Sequence, residues 1–181
     1  MVALLLSALS GTLLSASFEP VGKWWVAPIA IAVHMYALSI SSRKVLSSFI
    51  FGLTLNLIVL HWSSTFVGSI PWVILAIGLS LFYLPLALVS KWRITAYPLI
   101  YILLEEVRNR FPFGGFGWVR IAFTQADAPY ARIAAIGGAT ALSASVVLIA
   151  LVIFHISHRK FSLLPLLPFL IVLVPVTTSV I

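Results

Sequence analysis

The chain consists of long apolar runs separated by short breaks that carry polar residues, glycine or proline. With spans of roughly 17 to 25 residues and short loops, the chain has room for about seven transmembrane helices, of which the first and the fifth are short. We predict helices over about 2–17, 24–40, 45–62, 72–89, 95–108, 133–155 and 161–181. The pattern therefore predicts an all-α membrane protein, a polytopic bundle of about seven transmembrane helices with one longer outer loop over about 109–132.

Composition supports this assignment. Hydrophobic residues make up 62% of the 181 residues and charged residues only 8%, with a mean hydropathy of +1.17. Soluble domains carry about 25% charged residues. The apolar runs and their short connections occupy the whole chain, so we predict a single integral membrane domain over residues 1–181.

The first run is short for a span and is also compatible with a signal peptide, with Ser15-Ala16-Ser17 as a small-residue cleavage site. A signal peptide begins with a positively charged region, and no Lys or Arg precedes this run. A retained first helix is therefore favoured.

The net charge of +7 comes from basic residues that mostly sit in pairs between apolar runs. This is the pattern of topology signals, and we expect no nucleic-acid partner. Arg43-Lys44, Lys91 with Arg93, and Arg159-Lys160 fall on one side of the predicted bundle. The positive-inside rule assigns that side, and with it the N-terminus, to the cytoplasm.

The outer loop and the end of the fifth helix hold most of the polar chemistry. Charged groups at membrane depth are costly and usually face a cavity, a partner or lipid headgroups. Glu105 with Arg108, and Glu106 with Arg110, have the spacing of ion pairs on one helical face. Two interpretations stay open: the pairs neutralise a helix end, or one guanidinium remains free to hold a lipid phosphate.

The loop itself is rich in glycine and aromatic residues, which predicts either a tight interfacial turn among headgroups or a plain connector. Glycine occurs at 114, 115 and 117, beside Phe111, Phe113, Phe116 and Trp118. Further on, Gln125 and Asp127 either cap the sixth helix or bind a ligand. Capping is favoured, because Asp127 is followed by Ala128-Pro129, which resembles a helix start.

Several motifs follow one another in a distinctive order. They are Ser17-Phe18-Glu19-Pro20, Trp62, Gly68 to Pro71, Glu105-x-x-Arg108, Gly115-Phe116-Gly117-Trp118, Phe123-Thr124-Gln125-Ala126-Asp127-Ala128-Pro129 and Gly137-Gly138. In this order they resemble the apolipoprotein N-acyltransferases, over essentially the whole chain. Asn109, Gly117, Ala122 and Phe123 depart from that family, which has Gly, Pro, Gly and Tyr in the matching places.

The resemblance implies a helical domain in a bacterial inner membrane, followed by a periplasmic nitrilase-like domain and a closing helix. It implies a reaction in which a cysteine thiolate takes an acyl chain from a phospholipid. The thiolate then passes that chain to the amino group of a lipoprotein's N-terminal diacylglyceryl-cysteine. The nucleophile, a Glu base and a Lys all belong to the nitrilase-like part.

This chain contains no cysteine, so we expect it not to catalyse alone and to be truncated or completed by a separately encoded catalytic domain. The expected partners are a membrane phospholipid, that catalytic domain or a lipoprotein substrate; no cofactor, metal or catalytic residue is predicted. The resemblance gives the lipid-binding or loop-motif residues as Trp62, Glu105, Arg108, Phe116, Trp118, Gln125 and Asp127.

Two other functions remain open. The chain could be a noncatalytic membrane anchor or partner of a polyprenyl-phosphate mannose synthase, an arrangement known among relatives of the family. It could also be a small transporter subunit, although neither a charge relay nor an inverted repeat is evident in the sequence. Among the histidines, His34 is expected to be a hydrogen-bonded packing residue, and His61 is the one candidate base on the outer side.

Overall fold

The computed structural model describes residues 1–89 and 94–157, and this part of the chain consists of helices and their connections, without a strand. Its α-helices are α1 (Val2–Ser15), α2 (Val26–Ile40), α3 (Lys44–Val59), α4 (Ser64–Val67), α5 (Ser69–Leu81), α6 (Tyr97–Arg108) and α7 (Ala134–Ser157). Short 3₁₀ helices lie at His61–Ser63, Leu84–Leu88, Ile94–Ala96, Ile121–Gln125 and Ala131–Ile133. The predicted fold class, an all-α membrane bundle, is confirmed; the helix predicted over 161–181 lies outside the described residues.

Proline explains where the helices depart from the apolar runs. The run predicted as one helix over 72–89 becomes α5 followed by the 3₁₀ helix Leu84–Leu88, with Pro85 at its start. Proline lacks an N–H and its ring crowds the preceding turn, so an α-helix does not continue through it. Pro98 lies in the first turn of α6, where a missing N–H costs nothing.

The helices differ in how much of a bilayer they can cross. By length and apolar composition, two described stretches suffice, Ser69–Leu88 and Ala131–Ser157. A third is a pair bent by 51°, Lys44–Val59 with His61–Val67. At 14 and 15 residues, α1 and α2 reach roughly 21 to 23 Å, against a hydrocarbon core of about 30 Å. A helix shorter than the hydrocarbon core requires local thinning of the bilayer, snorkelling of flanking residues or oligomerisation if it is to span.

Small residues allow α1 and α3 to pack closely. A Cβ atom added at Gly11 would overlap Thr54 Oγ1 and lie 2.5 Å from the carbonyl oxygen of Phe51. One turn earlier, the hydroxyls of Ser7 and Ser47 are 2.6 Å apart and hydrogen-bonded. In lipid, the hydrophobic effect does not drive helices together. They associate instead through close backbone packing and hydrogen bonds between hydroxyl groups.

His34 links α2 to α6 inside the bundle. Its Nδ1 lies 2.8 Å from the hydroxyl of Tyr97, and its ring stacks on Phe51 with centroids 4.0 Å apart. The expectation of a hydrogen-bonded packing residue is confirmed.

The connections between helices gather at two ends of the bundle. We call one the motif end; it holds residues 16–25, 60–68 and 109–133, and one cleft is lined from all three of these segments. At the opposite end, the turn Ser41–Arg43 and the 3₁₀ helix Leu84–Leu88 line a common groove. The acidic residues of the chain all lie in or next to the motif end, namely Glu19, Glu105, Glu106 and Asp127.

Candidate functional site

Arg108 fixes the start of the loop at the motif end. It lies in the last turn of α6 and is only 2% exposed. Its Nη1 donates to the hydroxyl of Tyr83 at 2.7 Å and its Nη2 to the carbonyl oxygen of Val119 at 2.5 Å. The guanidinium therefore binds atoms of the protein itself, and in this structure it is not open to a lipid phosphate.

Glu105 lies three residues before Arg108 on α6 and holds the same loop. Its carboxylate is also 2% exposed, with Oε1 accepting the N–H of Ile121 at 2.8 Å and Oε2 lying 3.8 Å from Nε of Arg120. The predicted direct pair of Glu105 with Arg108 is absent from the ion pairs of residues 1–89 and 94–157. The loop folds back over the helix end, so each side chain finds a main-chain partner there instead.

Glu106 joins α6, the loop and α7. It forms the predicted pair with Arg110 at 2.6 Å, and that pair is confirmed. It also binds Arg120 and accepts the hydroxyl of Thr140 at 2.6 Å, while Arg120 donates to that hydroxyl at 2.7 Å. Sequence reasoning missed Arg120 and Thr140, because they lie 14 and 34 residues from Glu106 and share no helical period with it.

We call Glu105, Glu106, Arg108 and Arg120 the loop lock. Its two carboxylates and two guanidiniums balance in charge, and buried charge is tolerated only when it is paired and hydrogen-bonded. Removing one member would leave an uncompensated charge or an unpaired polar group, so the four residues hold one arrangement of the loop. They act as positioning residues.

Aromatic side chains from two connections meet at the motif end. The rings of Trp62 and Trp118 stack with centroids 4.8 Å apart and planes at 14°, and Phe116 lies 6.0 Å from Trp118. Trp62 is 44% exposed and Trp118 is 59% exposed. We call these three residues the aromatic platform. Exposed tryptophans are typical of the level of lipid headgroups.

The cleft at the motif end has a volume of about 330 Å³. Its walls include the aromatic residues Phe18, Trp62 and Phe123 together with the exposed carboxylates Glu19 and Asp127. No basic residue from the described part of the chain lines it. A negative cleft with aromatic walls favours an organic cation such as an ammonium group. Within the described residues there is no group of three His, Cys, Asp or Glu that could hold a metal ion.

Gln125 ties the loop to the connection between α1 and α2. It is fully buried, its Nε2 donates to the carbonyl oxygen of Trp24 at 3.3 Å, and its Oε1 accepts the hydroxyl of Tyr130 at 2.6 Å. The predicted cap is wrong at the 3₁₀ helix Ala131–Ile133 that leads into α7, because its N-cap residue is Tyr130 and it starts without a side-chain cap bond. Asp127 instead faces the cleft.

Tyr130 offers a direct test of this contact. Burial raises the pKa of Tyr130 to about 12, so its hydroxyl stays protonated and donates to Gln125 at neutral pH. Tyr130→Phe is expected to lower the free energy of unfolding by about 1 kcal/mol, the usual contribution of one such bond. Thermal unfolding in detergent at pH 7 measures the difference.

The same variant gives a pH signature. The pKa of Tyr130 is higher in the folded protein than its ordinary value of 10.0, so its contribution is complete below pH 10 and is lost towards about pH 12. The difference between the native chain and Tyr130→Phe should therefore shrink over that interval. Equal stability at pH 7 would contradict the contact.

A family model matches most of the chain. The model of the apolipoprotein N-acyltransferase N-terminal domain matches residues 10–152. This range includes α2 to α6 complete, the loop lock, the aromatic platform and the first part of α7.

Curated relatives carry the same description. The apolipoprotein N-acyltransferase of Mycolicibacterium smegmatis is 34% identical over 149 residues, which cover 77% of this chain and 25% of the relative. The protein of the same name from Photobacterium profundum is 28% identical over 168 residues, 81% of this chain and 32% of the relative. That from Pasteurella multocida is 24% identical over 163 residues, 81% of this chain and 31% of the relative. The chain spans about a third or less of the length of these relatives.

Proposed function

The chain belongs to the apolipoprotein N-acyltransferase N-terminal domain family, and we propose that it is the membrane-embedded part of a lipoprotein acylation system. In this role it binds substrate and is not catalytic alone. The 181 residues contain no cysteine, so an acyl-carrying thiolate would come from residues outside them. The observation that carries the proposal is the arrangement at the motif end, where the loop lock fixes the aromatic platform beside the acidic cleft.

The aromatic platform suits the phospholipid donor. Trp62 and Trp118 come from different connections, yet their rings stack and remain partly exposed. Rings at this level lie along acyl chains and glycerol groups with their apolar faces. The loop lock supports this position because Val119 and Ile121, just after Trp118, are held through their main-chain atoms.

The acidic cleft suits the amino group that receives the acyl chain. An ammonium group is attracted by the carboxylates of Glu19 and Asp127 and by the face of Trp62. Loss of its proton, which acylation requires, would take place later, at the thiolate site. The cleft would thus collect the acceptor while the platform holds the donor.

The charge distribution supports the orientation of this site. In the sequence-based topology, the opposite side carries three compact basic pairs, Arg43-Lys44, Lys91 with Arg93, and Arg159-Lys160. The motif end carries five basic residues, but they are not grouped in this way and Arg110 and Arg120 are paired with Glu106, so the orientation rests on the compact pairs. By the positive-inside rule, the opposite end and the N-terminus face the cytoplasm of a bacterial inner membrane. The motif end then faces the periplasm, the compartment of lipoprotein acylation.

Complementation tests the division of roles. This chain is expressed in cells depleted of their apolipoprotein N-acyltransferase, alone or together with the part of the Pasteurella multocida relative that this chain does not match. Mass spectrometry of a lipoprotein N-terminus then counts acyl chains. We expect a third acyl chain only with both parts present. Triacylation by this chain alone would overturn the noncatalytic role, and co-purification of a glycosyltransferase without triacylation would favour the anchor.

Substitutions at the motif end test the two substrate roles. In the completed system, Trp118→Ala and Asp127→Asn are each expected to slow triacylation about tenfold. A tenfold change in rate corresponds to roughly 1.4 kcal/mol, which is the free energy expected for the loss of one stacking contact or one contact with a cation. Trp25→Ala is the matched control, because Trp25 is similarly exposed, at 52%, and lies off the platform. Unfolding temperatures should stay unchanged in Asp127→Asn and Trp25→Ala and fall by only a few degrees in Trp118→Ala, which loses its stacking on Trp62. Equal rates in Trp118→Ala and Trp25→Ala would argue against the platform.

A further inference from the structure

A groove at the end of the bundle away from the candidate site combines positive charge with an apolar wall. It lies between the start of α3 and the 3₁₀ helix Leu84–Leu88 and has a volume of about 840 Å³. Arg43 and Lys44 line it, together with apolar side chains that include Leu46 and Phe49. Since α3 is 16 residues long, about 24 Å of helix separates this groove from the motif end.

Among the described residues, the two cations in the groove have no acidic side chain as a counter-ion. The ion pairs of the described residues all use Glu105 or Glu106, and Glu19 and Asp127 also lie at the motif end. These four are the Asp and Glu residues of the sequence and all are described, so no carboxylate side chain neutralises Arg43 or Lys44. The positive end of the α3 dipole adds to their field.

The form of the groove selects among anions. A free phosphate would use the two cations but leave the apolar wall exposed. A phospholipid uses both, because its phosphate meets the cations while its acyl chain covers Leu46, Phe49 and Leu84. A headgroup with a net negative charge is favoured over a zwitterionic one, since both charged residues of the groove, Arg43 and Lys44, are positive.

We propose that this groove is a binding site for an anionic phospholipid of the leaflet at this end of the bundle. The guanidinium of Arg43 and the ammonium of Lys44 hold its phosphate, and the apolar wall holds one acyl chain. The bound lipid joins the α2–α3 turn to the segment where Pro85 ends α-helical structure, so it stabilises the bundle. This site is independent of the proposed acyl-transfer role.

Lipid-dependent unfolding tests the site. The full chain in neutral detergent is mixed with phosphatidylglycerol, phosphatidylcholine or inorganic phosphate, and its unfolding temperature and bound lipid are measured, the latter by native mass spectrometry. Phosphatidylglycerol should raise the unfolding temperature and remain bound, whereas the other two should have little effect. A comparable shift with inorganic phosphate would show a free-anion site, and one with phosphatidylcholine would show nonspecific lipid binding; either overturns the proposal.

Variants separate a specific site from general surface charge. The double variant Arg43→Gln with Lys44→Gln should weaken phosphatidylglycerol binding about 30-fold. This is the combined effect of losing two cations that each attract an anionic headgroup near the membrane surface. Lys23→Gln with Arg132→Gln removes the same charge from exposed positions at the motif end and should change binding less than twofold. Leu46→Gln should weaken lipid binding with both cations intact. Equal losses in the two double variants, or no loss in the first, would overturn the proposal.

Discussion

Arg108→Met is expected to lower the free energy of unfolding by about 3 kcal/mol and to release the loop that follows α6. Methionine approaches the length of the arginine stem but provides neither of the bonds to Tyr83 and Val119. The carbonyl oxygen of Val119 would then be buried without a donor, which itself costs about 1 to 3 kcal/mol. Glu105 would also lose the positive charge nearest to it on α6.

Arg110→Met is the control for this change. Arg110 is one turn above Glu106 in the same segment, but its side chain is 72% exposed, and an exposed pair contributes less than about 1 kcal/mol. Hydrogen exchange at residues 119–121 and unfolding in detergent measure the two effects. Exchange that rises in Arg110→Met as much as in Arg108→Met would show that the loop is held by general charge and not by the buried bonds.

Gly11→Ala is expected to have the second large effect, a loss of about 2 to 3 kcal/mol. The new methyl group would overlap Thr54 Oγ1 and crowd the carbonyl oxygen of Phe51. Because that carbonyl belongs to the main chain, it cannot move away by a change of rotamer. The α1 and α3 helices would have to separate. This would also strain the hydroxyl bond between Ser7 and Ser47.

Gly78→Ala provides a matched control, because Gly78 also lies inside a helix, α5, and no described atom comes within 4 Å of its added methyl group. There alanine should be neutral or stabilising by up to about 1 kcal/mol, from its better helix propensity. Unfolding of both variants under the same detergent conditions gives the comparison. Similar stability of the two variants would contradict close packing of α1 on α3.

The helices could be predicted from the sequence because a membrane leaves the backbone few choices. Each apolar run must satisfy its own N–H and C=O groups, and only helices do so within one segment. The bounds were less predictable where proline intervenes, since the same apolar run contains α5 and then, from Leu84, a 3₁₀ helix. Hydropathy does not distinguish these two conformations.

The candidate site was predictable in part. The spacing of Glu106 and Arg110 indicated their pair, because both lie on one turn of helix. The partners of Arg108 and Glu105 had no such signal. Two of them are main-chain groups, the carbonyl of Val119 and the N–H of Ile121. Every residue provides the carbonyl and every residue but proline the N–H, so no residue type marks them. The meeting of Trp62 with Trp118 likewise depends on how two distant connections fold together.

Because α6 holds the loop through main-chain atoms, the amino-acid sequence of the loop is free to diverge during evolution. Arg108 and Glu105 hold atoms of residues 119 and 121 that survive the exchange of either side chain for another apolar one. Mutations can therefore accumulate along the loop while its path is kept. Among distant homologues, the two side chains on α6 should mark a loop of this shape more dependably than the sequence of the loop itself.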